Sequence, residues 1–438
     1  MLPLLACLYL PFIGGGLRTD DYAHLARIST LASISESIIR PDTFGFYRPT
    51  AQVSLALESS SPGWQPWRSR LVNILLHGVV IALALAVARL ALVDTFAAGL
   101  AVLAFALTPN AHPAAVLWIS ARPELLMSVF SLTAVAAWIV WTRRGSGGWL
   151  ALAGGAYALA FVSKETAALL PLLLLAAPRA DRSWKARVTA VAALCVLGVA
   201  IASWRAHLGA LTPFSPDPHY NMLTGPARWL RSVQNYSGRM LAAPIALVLV
   251  AFVASVISER RSGRPRIPSA GFAAAWVLIF LAPVLPIVAR SELYLYLPVF
   301  GICLVAGILS APLLRVSSRT VTIAALTLYV ALLGAYQVSR ADRIAEANRF
   351  SEQFVTALAN QPELVTGDGT LVIVPADPDT ERLLRDSIGG YLPVVLAHAL
   401  GHPRLTGEIQ YDDVPVSGKF RFICHYRNGE VGLTAVWN

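Results

Sequence analysis

Two adjacent carboxylates, Asp20 and Asp21, follow directly on the first apolar segment, Leu2 to Leu17, in a chain that otherwise avoids charge. Acids at the end of a hydrophobic helix lose hydration and repel each other, so one of the pair can be held ready to take or share a proton, as a general base does. The alternative is that they only stop the helix at the water interface. Other polar residues stand at comparable positions. Arg70, Asn73 and His77 are spaced by three and four and share one helix face. His112-Pro113 precedes Trp118-Ile119-Ser120-Ala121-Arg122-Pro123-Glu124, where Arg122 and Glu124 either pair with each other and cap the next helix or serve a site. Lys164-Glu165 interrupts an apolar tract from Leu150 to Ala177, a costly place for two charges unless they reach water or a ligand. Arg290-Ser291-Glu292 opens a run containing Tyr294 and Tyr296, aromatic residues that also suit a membrane interface.

Composition dictates the elements that must position them. Of 438 residues, 56% are hydrophobic and 14% charged, whereas about a quarter of the residues in soluble domains are charged. The chain is therefore an integral membrane protein. Its 35 Lys+Arg against 25 Asp+Glu, a net charge of +10, fit basic loops that hold topology better than a nucleic-acid partner. Apolar runs at 2–17, 71–92, 96–108, 123–141, 148–163, 166–178, 188–203, 240–257, 270–289, 292–311 and 320–337 predict about eleven spans. The first lacks a basic leader and a small-residue cleavage site, so it reads as a retained helix. The four cysteines show neither a disulfide framework nor a zinc spacing.

Arg143-Arg144, the run 179–187, Arg260-Arg261 with Arg264 and Arg266, and Arg315 with Arg319 fall on alternate connections, which the positive-inside rule assigns to the cytoplasm. The acids then face outward, together with Arg48, His77, His112, Arg122, Lys164 and Arg290. The outer side also carries the longer loops, 18–70 and 204–239, the second with an irregular lid from Pro213 to Tyr220. Residues 1–338 form the membrane domain. Residues 339–438 read as a small α+β domain: a helix over 341–359, a strand over 370–374, one or two helices over 380–400, and a hairpin of 420–426 with 431–437 turning at Asn428-Gly429. An odd number of spans places this domain outside the cytoplasm, beside the acids. It shows no nucleophile, phosphate loop or metal motif, so acceptor docking, partner binding and capping all stay open. The fold class is mainly α: a polytopic helical membrane protein with a small C-terminal α+β domain.

Cations beside carboxylates on one lipid face suit a phosphorylated lipid held by Arg or Lys while an acid activates a hydroxyl group. At this point the order of motifs carries a resemblance: Asp20-Asp21, Tyr47-Arg48-Pro49, Asn73-x-x-x-His77, His112-Pro113 with Trp118 to Leu126, Lys164-Glu165, and Glu292 with Leu295-Tyr296-Leu297-Pro298. Over about residues 10–300 the chain resembles the GT-C glycosyltransferases, closest to the branch of the protein O-mannosyltransferases and the transmembrane TPR-containing mannosyltransferases. The resemblance implies a polytopic enzyme that takes a sugar from a polyprenyl-phosphate donor on the extracytoplasmic face and transfers it, with inversion, to an acceptor hydroxyl.

Carried onto this chain, Asp20 or Asp21 would be the base. Arg122, Lys164, Arg290 and Arg48 would hold the departing lipid phosphate. His77 and His112, with Glu124, Glu165, Glu292, Tyr294 and Tyr296, would position donor or loop. Two departures matter. Family members tend to have Glu-Arg before the Leu-Tyr-Leu-Pro run, whereas here Glu292 is followed by Leu293, and the nearest Arg is Arg290. No repeat at the ~34-residue TPR period follows the last span, so a protein acceptor and mannose are not carried over. Some members use a divalent metal and others do not, and two adjacent acids leave both open. A transporter or flippase of a lipid-linked glycan would also need buried charges, but it would carry them deep in the spans. Here the span interiors are mostly Ala, Leu and Val, which favours an enzyme; a silent scaffold for envelope enzymes is the third reading. High Ala, Leu and Arg usage and short loops suit a bacterial inner membrane.

Overall fold

The computed structural model describes residues 2–29, 34–61, 63–92, 94–178, 181–210, 225–258, 270–288, 291–361, 364, 369–411 and 420–436. Arg290, the 213–220 segment, Arg179, Arg260, Arg261, Arg264, Arg266 and Trp437 lie outside the described residues.

The chain folds as a helical membrane domain topped by a small α/β layer. In order the helices are α1 (Leu2–Tyr9), α2 (Asp20–Ser29), α3 (Glu36–Ile39), α4 (Pro49–Ser59), α5 (Pro66–Ala91), α6 (Thr95–Ala106), α7 (Ala111–Leu117), α8 (Arg122–Arg144), α9 (Gly147–Ser163), α10 (Leu170–Leu175), α11 (Trp184–His207), α12 (Pro226–Met240), α13 (Ala242–Ile257), α14 (Ala270–Leu281), α15 (Pro298–Val316), α16 (Arg319–Ala359) and α17 (Pro378–Ser387). Among the described residues, five helices are long and apolar enough to cross a membrane. Two further pairs, α6 with α7 and α12 with α13, pass together but bend by 64° and 51°, and four shorter apolar helices complete the set. These coincide one for one with the eleven apolar runs. Close helix contacts rest on small residues. A Cβ on Gly307 of α15 would stand 2.4 Å from the Ala97 carbonyl oxygen of α6, so only glycine permits this crossing.

The spans give the domain two distinct ends. At one end Arg143, Arg182 and Arg315 gather; Arg315 pairs with Asp94, the N-cap of α6, at 2.6 Å. At the other end stand Asp21, Arg70, Arg122, Lys164 and Arg205, under the C-terminal layer.

The sequence predicts a span over 320–337 and a separate helix over 341–359. The structure joins them: α16 is one unbroken helix of 41 residues. No Gly or Pro stands between Gln337 and Ala341 to stop it. The expected domain boundary at 338/339 therefore falls inside a helix. Its first half packs Tyr329 and Leu333 into the membrane core, and its second half packs Phe350, Phe354 and Leu358 into the C-terminal core.

That second core is built on a four-stranded sheet in the order β2-β1-β3-β4, with β1 (Gly369–Pro375), β2 (Leu405–Ile409), β3 (Phe420–Arg427) and β4 (Glu430–Ala435). β1 runs parallel to both β2 and β3, and β3–β4 is the expected antiparallel hairpin, with Asn428 and Gly429 at positive φ in the turn. β2 is not among the elements that the sequence predicts, and it carries Gly407 at its centre. The glycine is required there by packing: a Cβ would stand 2.6 Å from Leu392 Cγ on the helical turns that cover the sheet. Tyr22 of α2 belongs to this core and Leu17 packs against it, so the first loop is wedged into the C-terminal layer.

A candidate active site between the first loop and the C-terminal domain

The acids are delivered by a turn that Arg70 holds. This fully buried guanidinium donates Nη1 to the carbonyls of Ile13, Gly14 and Gly15 at 3.0, 3.0 and 2.7 Å, Nη2 to Gly16, and Nε to Leu117 at 3.2 Å. Turning four consecutive carbonyls toward one side chain demands unusual backbone, which Gly15 supplies. Gly15 has φ +87, and a Cβ on it would meet the Asn348 carbonyl carbon of α16 at 2.6 Å. The chain then passes through Thr19 at φ 42, a strained value for a β-branched residue, and enters α2 with both acids in its first turn, where the helix dipole favours them.

The two acids have different surroundings. Asp21 is 1% exposed. Its Oδ1 accepts the Ser120 N–H at 2.8 Å and the Ser120 hydroxyl, and its Oδ2 accepts the Arg18 N–H at 3.2 Å. Burial raises its pKa above the ordinary aspartate value, against the Ser120 hydrogen bonds and the charges of Arg70 and Arg18. With both oxygens engaged and no access, it holds the loop onto the membrane domain. Asp20 is half-buried; its Oδ1 accepts the Tyr391 hydroxyl at 2.6 Å, and no protein donor among the described residues reaches Oδ2. His24, one turn along α2, shares its face, and the His24 ring meets Phe44, which in turn meets Tyr391 edge-on at 6.4 Å between centroids.

Arg122 takes a different place from the one the sequence suggests. It is fully buried, with Nε donated to Asn73, Nη1 to Ser54, both Nη groups to Glu58 and Nη2 to the Ser69 carbonyl at 3.0 Å. Every nitrogen is engaged, so it ties α4, α5 and α8 together and has no donor left for a phosphate. It does not pair with Glu124. That acid is buried and bonded to Lys164, whose ammonium also lies 5.0 Å from the Tyr294 ring centroid. Beside this pair lies a more open charge set. Arg48 binds Glu165 through two nitrogens, and Arg205 approaches the same carboxylate at 3.5 Å. The Glu165 side chain is 38% exposed. Glu292 pairs with Arg340 of α16. His77 and His112 sit fully buried at 4.8 Å between ring centroids, with His77 Nδ1 hydrogen-bonded to the Tyr296 hydroxyl at 2.6 Å. They brace α5, α7 and the segment before α15.

The structure thus brings together Asp20 and Asp21 at one place and Arg48, Glu124, Lys164, Glu165 and Tyr294 at another on the same end of the domain. Sequence reasoning missed Glu58, Arg205, Ser120 as a partner, and Tyr391. Arg205 had one signal, a charge near the end of an otherwise apolar helix; Tyr391 had none. Among the described residues no group of three His, Cys, Asp or Glu side chains stands close enough to hold a metal. At the acid pair, Asp20 Oδ2 is the oxygen that no protein donor among the described residues engages.

The comparisons with known proteins follow the same lines. The model of the dolichyl-phosphate-mannose-protein mannosyltransferase family matches residues 55–204, about a third of the chain. Among solved structures, ArnT from Cupriavidus metallidurans, bound to undecaprenyl phosphate, superposes with a TM-score of 0.51 at 13% identity, covering 99% of this chain and 96% of that one. The apo oligosaccharyltransferase of Archaeoglobus fulgidus gives 0.50 at 11% identity, covering 92% of this chain and 63% of that one. No curated protein sequence matches at a significant level. The chain has the fold of the GT-C glycosyltransferases and carries the sequence pattern of one of their families over 55–204. The mannosyltransferase branch itself is not distinguished from the others by these matches.

Proposed function

We propose that the chain is a membrane glycosyltransferase that moves a sugar from a polyprenyl-phosphate donor to an acceptor hydroxyl on the extracytoplasmic face, with inversion, and that Asp20 is the base. The observation that carries this reading is the division of labour within the acid pair. Two adjacent carboxylates in unlike environments take unlike roles: Asp21, saturated by Ser120 and Arg18, is structural, and Asp20 keeps one oxygen for a substrate.

In the step proposed, the acceptor hydroxyl gives its proton to Asp20 Oδ2 as its oxygen bonds to the anomeric carbon. The bond from that carbon to the phosphate oxygen breaks, and the lipid phosphate leaves with the electron pair. Negative charge grows on the phosphate, so cations that strengthen their hold there lower the barrier. Arg48 and Arg205 are assigned to this task, since they share a partly exposed carboxylate that an incoming phosphate can replace; Lys164, bonded to Glu124, supports them from the buried side. Arg290 keeps its candidacy from the sequence alone. The basic residues at the opposite end of the domain support the outward orientation, and a bacterial inner membrane remains the compartment of choice on composition.

The test is reconstitution of the full chain in liposomes with radiolabelled polyprenyl-phosphate mannose and polyprenyl-phosphate glucose, an envelope extract serving as acceptor pool. Asp20→Asn is expected to lower label transfer by at least about a hundredfold, the low end for a lost general base, with the melting temperature unchanged. Transfer within tenfold of wild type would overturn the assignment of the base.

A further inference from the structure

Resting on that reading of Asp20, we infer that the C-terminal domain completes the active site, with Tyr391 the residue that orients the base. Three contacts lock the domain onto the chain around Asp20. The Ser387 carbonyl accepts the N–H of the strained Thr19 at 2.7 Å, the Asn348 carbonyl accepts the Gly16 N–H at 2.8 Å, and the Ser351 and Tyr22 hydroxyls meet at 2.7 Å. Each grips the backbone or side chain within four residues of Asp20. The unusual φ at Thr19 persists because the surroundings over-determine it, and part of those surroundings is the domain 368 residues further along the chain.

Within this clamp the Tyr391 hydroxyl donates to Asp20 Oδ1. A carboxylate on a helix's first residue can rotate about its side-chain torsions; a hydroxyl bonded to one oxygen fixes the plane and leaves the other oxygen aimed at a single position. That is what a base needs if the acceptor hydroxyl is to lie within hydrogen-bond reach of it and of the anomeric carbon together. Phe44, between His24 and Tyr391, walls this face of α2. The domain needs no nucleophile or metal of its own to be required for the reaction, which accounts for a conventional catalytic motif being absent from its sequence.

The test uses the liposome assay and the same two donors. Tyr391→Phe is expected to reduce kcat by about tenfold or more, the loss of one hydrogen bond to a charged group, while donor KM stays within twofold. In an Asp20→Asn background the same substitution is expected to change nothing further, because the group it orients is gone. A purely structural tyrosine would instead give additive losses and a lower melting temperature. Should Tyr391→Phe destabilise the protein, 3-fluorotyrosine at position 391 keeps the shape and strengthens the donor; kcat is then expected to change by at least threefold at unchanged melting temperature. Turnover within twofold of wild type for Tyr391→Phe or for the fluorotyrosine protein, or additive losses in the double variant, overturns the inference. Loss of turnover in Asp20→Asn with none in Tyr391→Phe would sink this inference alone; full turnover in Asp20→Asn would sink the base assignment first.

Discussion

Replacing Arg122 separates a structural cation from one that handles substrate. Its guanidinium is fully buried and bonded to Asn73, Ser54, Glu58 and the Ser69 carbonyl. Arg122→Met strands the Glu58 carboxylate, 16% exposed, without its countercharge. Removing one partner of a buried pair costs about 3–5 kcal/mol, which for a chain of 438 residues translates to a fall in melting temperature of about 3–5 °C. Replacing both partners by apolar side chains is close to neutral in other buried pairs, so Arg122→Met combined with Glu58→Leu is expected to recover most of the loss. Melting temperatures in detergent read the stability, and the liposome assay at a temperature well below both transitions reads turnover. The double variant is expected to keep at least about a tenth of wild-type kcat/KM, within ~1.4 kcal/mol of transition-state stabilisation. A double variant as stable as wild type but slowed a hundredfold, with donor KM raised, would refute the argument and return Arg122 to the lipid phosphate.

Other perturbations probe the remaining elements. Gly15→Ala, which combines positive φ with a Cβ 2.6 Å from the Asn348 backbone, is expected to lower the yield of folded protein severalfold by size-exclusion chromatography, while Gly14→Ala, with open space around it, leaves yield unchanged. Arg205→Gln is expected to weaken turnover at least tenfold and to make it less sensitive to added inorganic phosphate as a competitor; equal competition in both proteins would remove Arg205 from the phosphate site. In a cysteine-free background, Asn428→Cys and Ser146→Cys, both exposed, are expected to react with impermeant maleimide from opposite sides of the membrane. Labelling from one side would overturn the topology.

Hydropathy made the eleven apolar helices and bent pairs legible because each is an apolar run, and the hairpin was legible from alternation around Asn428-Gly429. The side-chain partners were not. Arg122 and Glu124 are two apart, a spacing that on a helix turns them to different faces, so their adjacency in sequence misled. The true partners, Glu58 for Arg122 and Lys164 for Glu124, are 64 and 40 residues distant, set by helix packing that no local pattern encodes. Likewise the composition change after Ser339 marks the approach to a second hydrophobic core, but a change of surroundings need not interrupt a helix that has no Gly or Pro at that point. Tyr391 lay beyond reach for the same reason: the polypeptide brings it 371 residues back to Asp20.

The unbroken α16 makes its own residue count a structural constraint. Its 41 residues span about 60 Å, twice the hydrocarbon thickness of a bilayer, so the second half stands as a mast carrying the sheet. Inserting one residue between Gln337 and Arg340 would raise everything beyond by about 1.5 Å and swing it by about 100° around the helix axis. Ser387 and Tyr391 would then sweep away from Thr19 and Asp20 although no residue around the acids had changed. Insertion of a full seven would nearly restore the bearing but lift the sheet by about 10 Å. The middle of this helix therefore tolerates no gain or loss of a residue, because it sets the phase in which the C-terminal layer meets the turn before α2.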